Sequence, residues 1–299
     1  TAHEDVLRIA LSYAQKLNAP IVVEATSNQV NQDGGYTGLT PASFVASLSK
    51  LRELSNMDQS DIVLGGDHLG PQAWRNLPAK QAMGKASVMI EAYVRAGFSK
   101  IHLDCSEGCA GEPDQLDDAV TAARSAKLMQ AALQASKAPK ELTFVIGTEV
   151  PPPGGARLDA HGDINATLPE AAKATLEAHA LAFRDLGLTD VITQVSGLVV
   201  QPGVEFSPMQ VHDLPSRRDP GLRNVMMNWP NLCLEAHSTD YQSPDVYPRL
   251  AELGFAYQKV GPALTYAWRR AVYALDQIVA FISVKPANLP PVMERLMLE

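Results

Sequence analysis

Residues 62–71 read IVLGGDHLGP, in which an unbroken apolar run passes through two glycines into an acid, a histidine and a proline. An apolar run without alternation is typical of a strand that is buried on both faces, as in a parallel sheet. Seven such runs occur along the chain, at residues 21–23, 62–64, 101–103, 144–146, 198–200, 232–234 and 256–260. The first four begin about 40 residues apart, which suits β-loop-α units.

Helical patterns separate these runs, because apolar residues recur there every three or four positions. In the first pattern these residues are Val6, Ile9, Ala10 and Tyr13. Capping residues and first-turn prolines predict helix starts at Thr40-Pro41, at Ser243-Pro244 and at Thr167 with Glu170. The alternation of strands and helices predicts an α/β fold, a (β/α)8 TIM barrel.

An eight-stranded barrel needs one strand more than the seven runs supply. The chain opens on a helical pattern near His3, so we expect the missing strand just upstream of Thr1, in a first βα unit that is clipped here. No linker, repeat or low-complexity tract marks a second domain. We therefore predict a single domain over residues 1–299, with a short irregular C-terminal piece at about 279–299.

Composition narrows the class of partner and the compartment. A formal charge of −8 disfavours nucleic acid and anionic membranes as partners, since both repel a negatively charged protein. No apolar run reaches the length of a membrane span. Three cysteines without a C-x-x-C pair favour a reduced, cytoplasmic setting.

Polar residues crowd the C-terminal ends of the predicted strands. In a barrel these ends converge on one mouth, where barrel enzymes place their active sites. His68 and His237 end separate strands, and with Glu149 they offer two imidazoles and a carboxylate. That set suits a divalent metal such as zinc, although a plain hydrogen-bonded network would also account for it.

The other histidines are interpreted as structural. His102 lies in the middle of a predicted strand, where a histidine is more often a satisfied core residue. His161, His179 and His212 lie away from strand ends.

The last strand end suggests an anion site. Gly261, Thr265 and the start of the following helix could direct N–H groups at a phosphate, with Lys259 beside them. The other interpretation is that Gly261-Pro262 only terminates the strand.

Seven strand-end motifs, in order and over essentially the whole chain, resemble the Z-type subunit of tagatose-bisphosphate aldolase. They are EATSNQVNQDGGYTG (24–38), GGDHLGPQAW (65–74), HLDCSEGCAG (102–111), GTEVP (147–151), QPGVEF (201–206), EAHSTDYQ (235–242) and KVGPALT (259–265). The resemblance implies a barrel similar to class II aldolases.

In those aldolases an Asp-His pair ends one strand, and the resemblance makes Asp67 the acid/base and His68 a metal ligand. His237 is similar to a later histidine ligand. Where the aldolases have a further histidine, the strand here ends at Gln201, so Glu149 or Gln201 would complete the coordination.

Members of the family carry three labels: tagatose 6-phosphate kinase, non-catalytic subunit that stabilises an aldolase, and ketose 4-epimerase. The chain has no G-x-x-x-x-G-K-[ST] loop to hold ATP and no G-x-G-x-x-G for a nicotinamide, so we expect no nucleotide cofactor. We favour a metal-dependent 4-epimerase that converts D-tagatose 6-phosphate to D-fructose 6-phosphate in galactitol and tagatose catabolism. The alternative is a stabilising partner of a class II aldolase subunit, and a homo-oligomer is expected in either case.

The epimerase hypothesis assigns roles to strand-end residues. Asp67 or Glu149 would remove the C4 hydroxyl proton in a retro-aldol step, and Asp104 or Glu205 would act on the opposite face. Substrate-binding residues would be Glu24, Asn28, Gln29, Ser238, Thr239, Asp240, Lys259, Gly261 and Thr265.

Overall fold

A computed structural model of the chain describes residues 1–148, 164–215, 217–229, 231–282 and 288–298. The chain forms two compact units, Thr1–Lys259 and Val260–Glu299, and each is described by itself. A single domain over residues 1–299 therefore stays a prediction. Among the described residues no helix has both the length and the hydropathy needed to cross a membrane.

The first unit is built on a parallel sheet of seven strands. In the order in which they pair, the strands are β1 (Ile21–Thr26), β2 (Ile62–Leu69), β3 (Lys100–Leu103), β4 (Thr143–Gly147), β5 (Val195–Val199), β8 (Cys233–Ala236) and β9 (Phe255–Gln258). Each predicted apolar run contributes one of these strands, which confirms the α/β class. The eighth strand and the closed TIM barrel remain predictions.

The sheet is curled. Lys259 directly follows β9, at one end of the strand order, yet its Nζ lies 3.1 Å from Oε2 of Glu24 on β1, at the other end. Lys100 on β3 likewise reaches Glu235 on β8, with Nζ and Oε2 2.6 Å apart. Side chains on the concave face of the sheet therefore meet one another.

Six helices are described in this unit. One precedes β1, α1 (Glu4–Leu17), and the others connect strands: α2 (Pro41–Leu54), α3 (Ala79–Ala96), α4 (Asp118–Ala135), α5 (Pro169–Asp185) and α6 (Val246–Glu252). A short antiparallel hairpin, β6 (Glu205–Phe206) with β7 (Val211–His212), follows β5. The described part of the unit also contains the 3-10 segments Gln59–Asp61, Pro71–Trp74, Pro139–Glu141, Thr189–Gln194 and Leu222–Asn228.

The first helix buries a different face from the predicted one. Ile9 and Tyr13 are 56% and 61% exposed, whereas Leu11 is fully buried. The apolar spacing fits either stripe, and the one that contains Leu7 and Leu11 packs into the core. The helix was correctly predicted and Val6 is buried, but the assignment of Ile9 and Tyr13 to the buried face was wrong.

One of the three predicted helix starts is confirmed, and the other two differ in their capping residue. Thr40 caps α2, because its side chain accepts a hydrogen bond from the N–H of Ser43. Thr167 does not cap α5, since its hydroxyl oxygen instead accepts from the N–H of Gln201, 2.9 Å away. At Ser243 the helix begins later than predicted, with Asp245 in the capping position of α6.

The second unit consists of α7 (Pro262–Ile282) and α8 (Leu289–Leu298). The piece at 279–299, which we expected to be irregular, is helical over most of its described length. Asp276 on α7 accepts a hydrogen bond from the N–H of Leu289, 3.0 Å away, which ties the start of α8 to α7.

Candidate metal centre

A bulge in β2 brings two adjacent side chains to one place. Gly66 pairs with Ile101 and Leu69 pairs with Leu103, so β2 contains one extra residue between these two pairs. His68 within the bulge has a φ of +46°, which is left-handed and uncommon for histidine. Neighbouring strand residues normally point to opposite faces, and a bulge redirects one of them. Asp67 and His68 can therefore contribute to the same site.

Four residues form what we call the cluster: Asp67, His68, His102 and His237. Each offers one metal-ligating atom, and these atoms all lie within 4.8 Å of one another. His102 is fully buried and His237 is 2% exposed. Among the described residues this is the one group of histidines, cysteines and acids that could hold a metal ion.

Each histidine of the cluster uses one ring nitrogen on an oxygen outside the cluster. His68 Nδ1 lies 2.7 Å from Asp104 Oδ2, and His102 Nε2 lies 3.0 Å from the carbonyl of Gly147. His237 Nε2 lies 2.9 Å from Oε1 of Glu235. A carbonyl or carboxylate oxygen only accepts, so each of these nitrogens would carry a hydrogen when a cation is bound, and the other ring nitrogen would be the ligand. Metal-binding histidines in proteins show this outer pairing almost always.

The remaining atoms are spaced as neighbouring ligands are. His102 Nδ1 and Asp67 Oδ1 lie 2.9 Å apart. Ligand atoms about 2.1 Å from one metal ion are separated by roughly 3 Å when they are adjacent. The donor set of three imidazoles and a carboxylate is also one that zinc and related divalent cations accept. The cluster therefore fits a divalent metal.

Burial and nearby charges give three members of the cluster different protonation states. Burial would raise the pKa of Asp67, but the charges of His68 and Lys259 outweigh it and hold that pKa well below the ordinary value. Burial, with the nearby charge of Lys259, lowers the pKa of His237 to about 3, so this imidazole is neutral. Burial also opposes the charge on His68, yet Asp67 and Asp104 raise its pKa to about 9. A cation that binds here must displace the His68 proton.

Two lysines, the buried Lys100 and the partly buried Lys259, neutralise the acids around the cluster. Lys259 Nζ contacts Asp67 and lies 3.1 Å from Glu24 and 2.7 Å from Glu235. Lys100 Nζ lies 2.7 Å from Glu24 and 2.6 Å from Glu235. Gly65 leaves the space that Glu24 occupies, since a Cβ there would lie 2.6 Å from its Oε1.

This network does not fit two predicted substrate contacts. Lys259 was expected to grip a phosphate, but its ammonium group is surrounded by three carboxylates, which would repel an anion. Glu24 was expected to bind substrate, yet its two oxygens face Lys100 and Lys259.

The acids predicted to act as proton donors or acceptors do not lie together. Asp104 was a candidate acid/base, but Oδ2 binds His68 and Oδ1 accepts from the N–H and hydroxyl of Ser106, so it orients His68. Glu205 is buried on β6, where it accepts from the N–H of Phe206, and the cluster does not include it. Glu149 lies outside the described residues, as does His161.

Gln201 is turned away from the ligand role that was predicted for it. Its Oε1 accepts from the N–H groups of Gly203 and Val204, at 2.8 and 3.0 Å, and so holds the loop after β5. An amide oxygen occupied by two N–H groups is poorly placed to bind a cation. His102, which we interpreted as a core residue, supplies the third imidazole instead.

Several of the predicted substrate-binding residues form hydrogen bonds with other residues of the protein. Gln29 Oε1 accepts from the N–H of Thr26, 3.1 Å away, and closes the turn after β1, where Asn28 accepts from the N–H of Tyr36 through its carbonyl. The Thr239 hydroxyl donates to the carbonyl of Lys259, 2.9 Å away. The other predicted contacts of this unit, Ser238 and Asp240, are buried beside Thr239. Gly261 and Thr265 belong to the second unit, in and just before the first turn of α7.

A cavity of about 340 Å³ adjoins the residues that orient the cluster. Ser106, which contacts Asp104, and Gly147, which contacts His102, both line it. The rest of the described lining is rich in hydroxyl and amide side chains, among them Gln115, Thr121, Thr148, Asn165 and Thr175. Its volume is in the range of small-molecule sites, and its lining mixes these polar groups with apolar ones such as Leu116, Leu198 and Val200.

Sequence reasoning missed His102, Lys100 and Glu235. A signal was present, because Lys100, His102 and Asp104 are spaced by two, as are Glu235 and His237. Side chains two apart on a strand share a face. Charged residues at this spacing inside apolar runs could have identified the polar interior.

Comparisons with known proteins agree with this architecture. The family described as D-tagatose-1,6-bisphosphate aldolase subunit GatZ/KbaZ-like matches residues 1–299. A solved structure described as a probable tagatose 6 phosphate kinase from Sinorhizobium meliloti 1021 is 44% identical, with a TM-score of 0.89 over 99% of this chain and 73% of that chain. Fructose-bisphosphate aldolase from Campylobacter jejuni is 14% identical, with a TM-score of 0.52 over 93% of this chain and 74% of that chain. At that identity the second likeness shows the fold alone.

Proposed function

Since the chain belongs to the D-tagatose-1,6-bisphosphate aldolase subunit GatZ/KbaZ-like family, we propose that it is a metal-dependent 4-epimerase of a ketohexose phosphate. It would convert D-tagatose 6-phosphate into D-fructose 6-phosphate, as a step in galactitol and tagatose catabolism. The observation that carries the proposal is the cluster, in which three histidines and an aspartate bring four potential ligand atoms within 4.8 Å of one another and each histidine has an outer hydrogen-bond partner.

The cluster residues would hold the cation, with the three imidazoles as neutral ligands and Asp67 beside them. When bound, a divalent cation such as Zn²⁺ supplies a Lewis acid that stabilises negative charge on the sugar oxygens. The outer partners Asp104, Gly147 and Glu235 keep the rings in place.

Asp67 is the proposed proton acceptor. His68 and Lys259 keep its carboxylate ionised, so it is ready to take the proton of the C4 hydroxyl. The C3–C4 bond then breaks, its electron pair stays with C3, and C4 becomes an aldehyde carbon. After the aldehyde fragment turns, C3 adds to its other face and Asp67 returns the proton to the C4 oxygen. Atoms and electrons balance without any co-reactant.

A second acid on the opposite face of C4 would assist this return by hydrogen bonding to the turned C4 oxygen. Glu205 on β6 stays the proposed acid for this role, because both oxygens of Asp104, the other predicted candidate, are engaged. Glu149 stays a proposal as base or ligand. Gly261 and Thr265 belong to the second unit and stay a prediction for the phosphate, whereas Lys259 is dropped because its charge is compensated by three carboxylates.

A second function, that of a non-catalytic subunit stabilising a class II aldolase subunit, is favoured by one observation. Lys259 and Lys100 neutralise Asp67, Glu24 and Glu235, so these acids are compensated by the protein's own cations. A barrel mouth of that kind needs no metal in order to be stable. The kinase label gains no support from the chain, which lacks a phosphate-binding loop for ATP.

The test is an assay of the purified protein alone with D-tagatose 6-phosphate and one divalent metal at a time, following D-fructose 6-phosphate. We expect turnover without ATP, and loss of turnover in Asp67→Asn. Asp33→Asn, at an exposed aspartate, is the matched control and should retain activity. No turnover with any metal, together with stimulation of an added aldolase subunit, would favour the stabilising role.

A further inference from the structure

We propose that Lys100 is a positioning residue that acts through Glu235 to hold His237 in its metal-binding tautomer. This inference rests on the function proposed above, because it concerns a cation at the cluster. Lys100 is 1% exposed and Glu235 is fully buried. Glu235 contacts His237 directly, so Lys100 can act on the cluster through this carboxylate.

The Glu235 carboxylate is held on both of its oxygens. Oε2 accepts from Lys100, 2.6 Å away, and Oε1 accepts from His237 Nε2, 2.9 Å away, with Lys259 Nζ 2.7 Å from the same Oε1. A turn of the carboxylate would break the bonds to Lys100 and His237 together. The hydrogen of His237 is therefore fixed on Nε2, which leaves Nδ1 as the nitrogen with a lone pair.

Lys100 is itself held from three sides. Its ammonium group also donates to Glu24 Oε1 on β1, 2.7 Å away, and lies 4.5 Å from the centre of the Tyr257 ring on β9. One side chain on β3 thus ties together the strands that carry Glu24, Glu235 and Tyr257. On the same strand, His102 follows two residues later and belongs to the cluster.

A buried ion network of this kind is a weak source of stability. Well-packed apolar residues of similar volume are often as stabilising or more so, because the charges must give up their hydration. The geometry that such a network imposes is a better reason to find it next to the cluster. Partners that orient metal ligands change metal affinity by about 10–100-fold when they are removed.

The experiment compares Lys100→Met, Glu235→Gln and the double variant, with Lys85→Met as a control at an exposed lysine. Co²⁺ affinity is measured by titration of its visible absorption, and unfolding free energy by denaturant on the same samples. We expect each single variant to lose 10–100-fold in Co²⁺ affinity, with an altered absorption spectrum. The double variant should lose no more than the worse single variant, because both changes break one connection.

A purely structural role gives a different pattern. The double variant removes both charges, so it should regain stability relative to either single variant; if Co²⁺ affinity returns with it, the positioning role is overturned. Wild-type affinity in Lys100→Met would overturn it as well.

A metal-free measurement separates this inference from the proposed function. Nitrogen chemical shifts of ¹⁵N-labelled histidine should show His237 as the Nε2–H tautomer in the wild type and as a mixture in Lys100→Met. An unchanged tautomer would refute the role of Lys100. If the wild type binds no Co²⁺, the metal-dependent function is refuted, and the tautomer still decides what Lys100 does.

Discussion

Replacing Lys259 with methionine removes the one cation that three acids near the cluster share. Its Nζ contacts Asp67 and lies 3.1 and 2.7 Å from Glu24 and Glu235. At an effective dielectric constant of about 20, each contact at such a distance is worth about 5–6 kcal/mol before desolvation and carboxylate repulsion are subtracted. Breaking a buried ion pair costs about 3–5 kcal/mol net.

Proton uptake sets an upper limit to that loss. One carboxyl that becomes neutral relieves the repulsion, and at pH 7 this costs about 3–4 kcal/mol for an acid of ordinary pKa. We therefore expect Lys259→Met to lower the free energy of unfolding by about 3–4 kcal/mol at pH 7. The variant's raised carboxyl pKa makes the loss fully present above that pKa and small by about pH 4.

Urea unfolding at pH 7 and pH 4.5 measures both effects. Lys85→Met is the matched control, because Lys85 Nζ lies 2.8 Å from Asp33 but both side chains are about half exposed, at 42% and 52%. An exposed pair is worth about 0–1 kcal/mol. A loss below about 1 kcal/mol in Lys259→Met, or a loss independent of pH, would refute the charge-compensation argument.

Four further outcomes are expected. Asp67→Asn should lower turnover by at least about 100-fold while its circular dichroism stays that of the wild type, and retained activity would contradict its role. Saturating Zn²⁺ should raise the melting temperature by roughly 5 °C in the wild type and by much less in His102→Gln, as read by calorimetry with and without chelator. Burial lowers the pKa of His179, so the free energy of unfolding should fall as the pH drops below about 6.5, by up to about 1.4 kcal/mol per pH unit. The fall should be less steep in His179→Gln. Equal pH slopes in the wild type and the variant would contradict this. Tyr93→Phe removes the hydroxyl that donates to the carbonyl of Val30, 2.8 Å away, and should cost about 1–3 kcal/mol in urea unfolding, whereas an unchanged midpoint would refute that bond's contribution.

The strands were predictable because a strand buried on both faces needs an unbroken apolar run. Residues 62–64 and 144–146 show this most clearly, and both lie inside observed strands. The face of α1 was not predictable in the same way, since the spacing of Ile9 and Tyr13 is as helical as that of Leu7 and Leu11. Only packing against the sheet chooses between them.

The cluster was partly predictable. Asp67, His68 and His237 stand at strand ends, where parallel strands bring their termini together. The bulge that lets Asp67 and His68 share one site depends on the pairing of β2 with β3, and no local pattern encodes it. The pairing of Lys259 with three acids likewise depends on the curl of the sheet, which brings the end of β9 beside β1 and β2.

The most direct test of the account is to incubate the metal-loaded protein alone with D-tagatose 6-phosphate in D₂O and to follow the sugar by NMR. Cleavage of C3–C4 leaves the hydrogen on C4 in place, so the account predicts D-fructose 6-phosphate with no deuterium at C4. Deuterium at C4 would contradict the retro-aldol route, and no conversion with any divalent metal would contradict the epimerase itself.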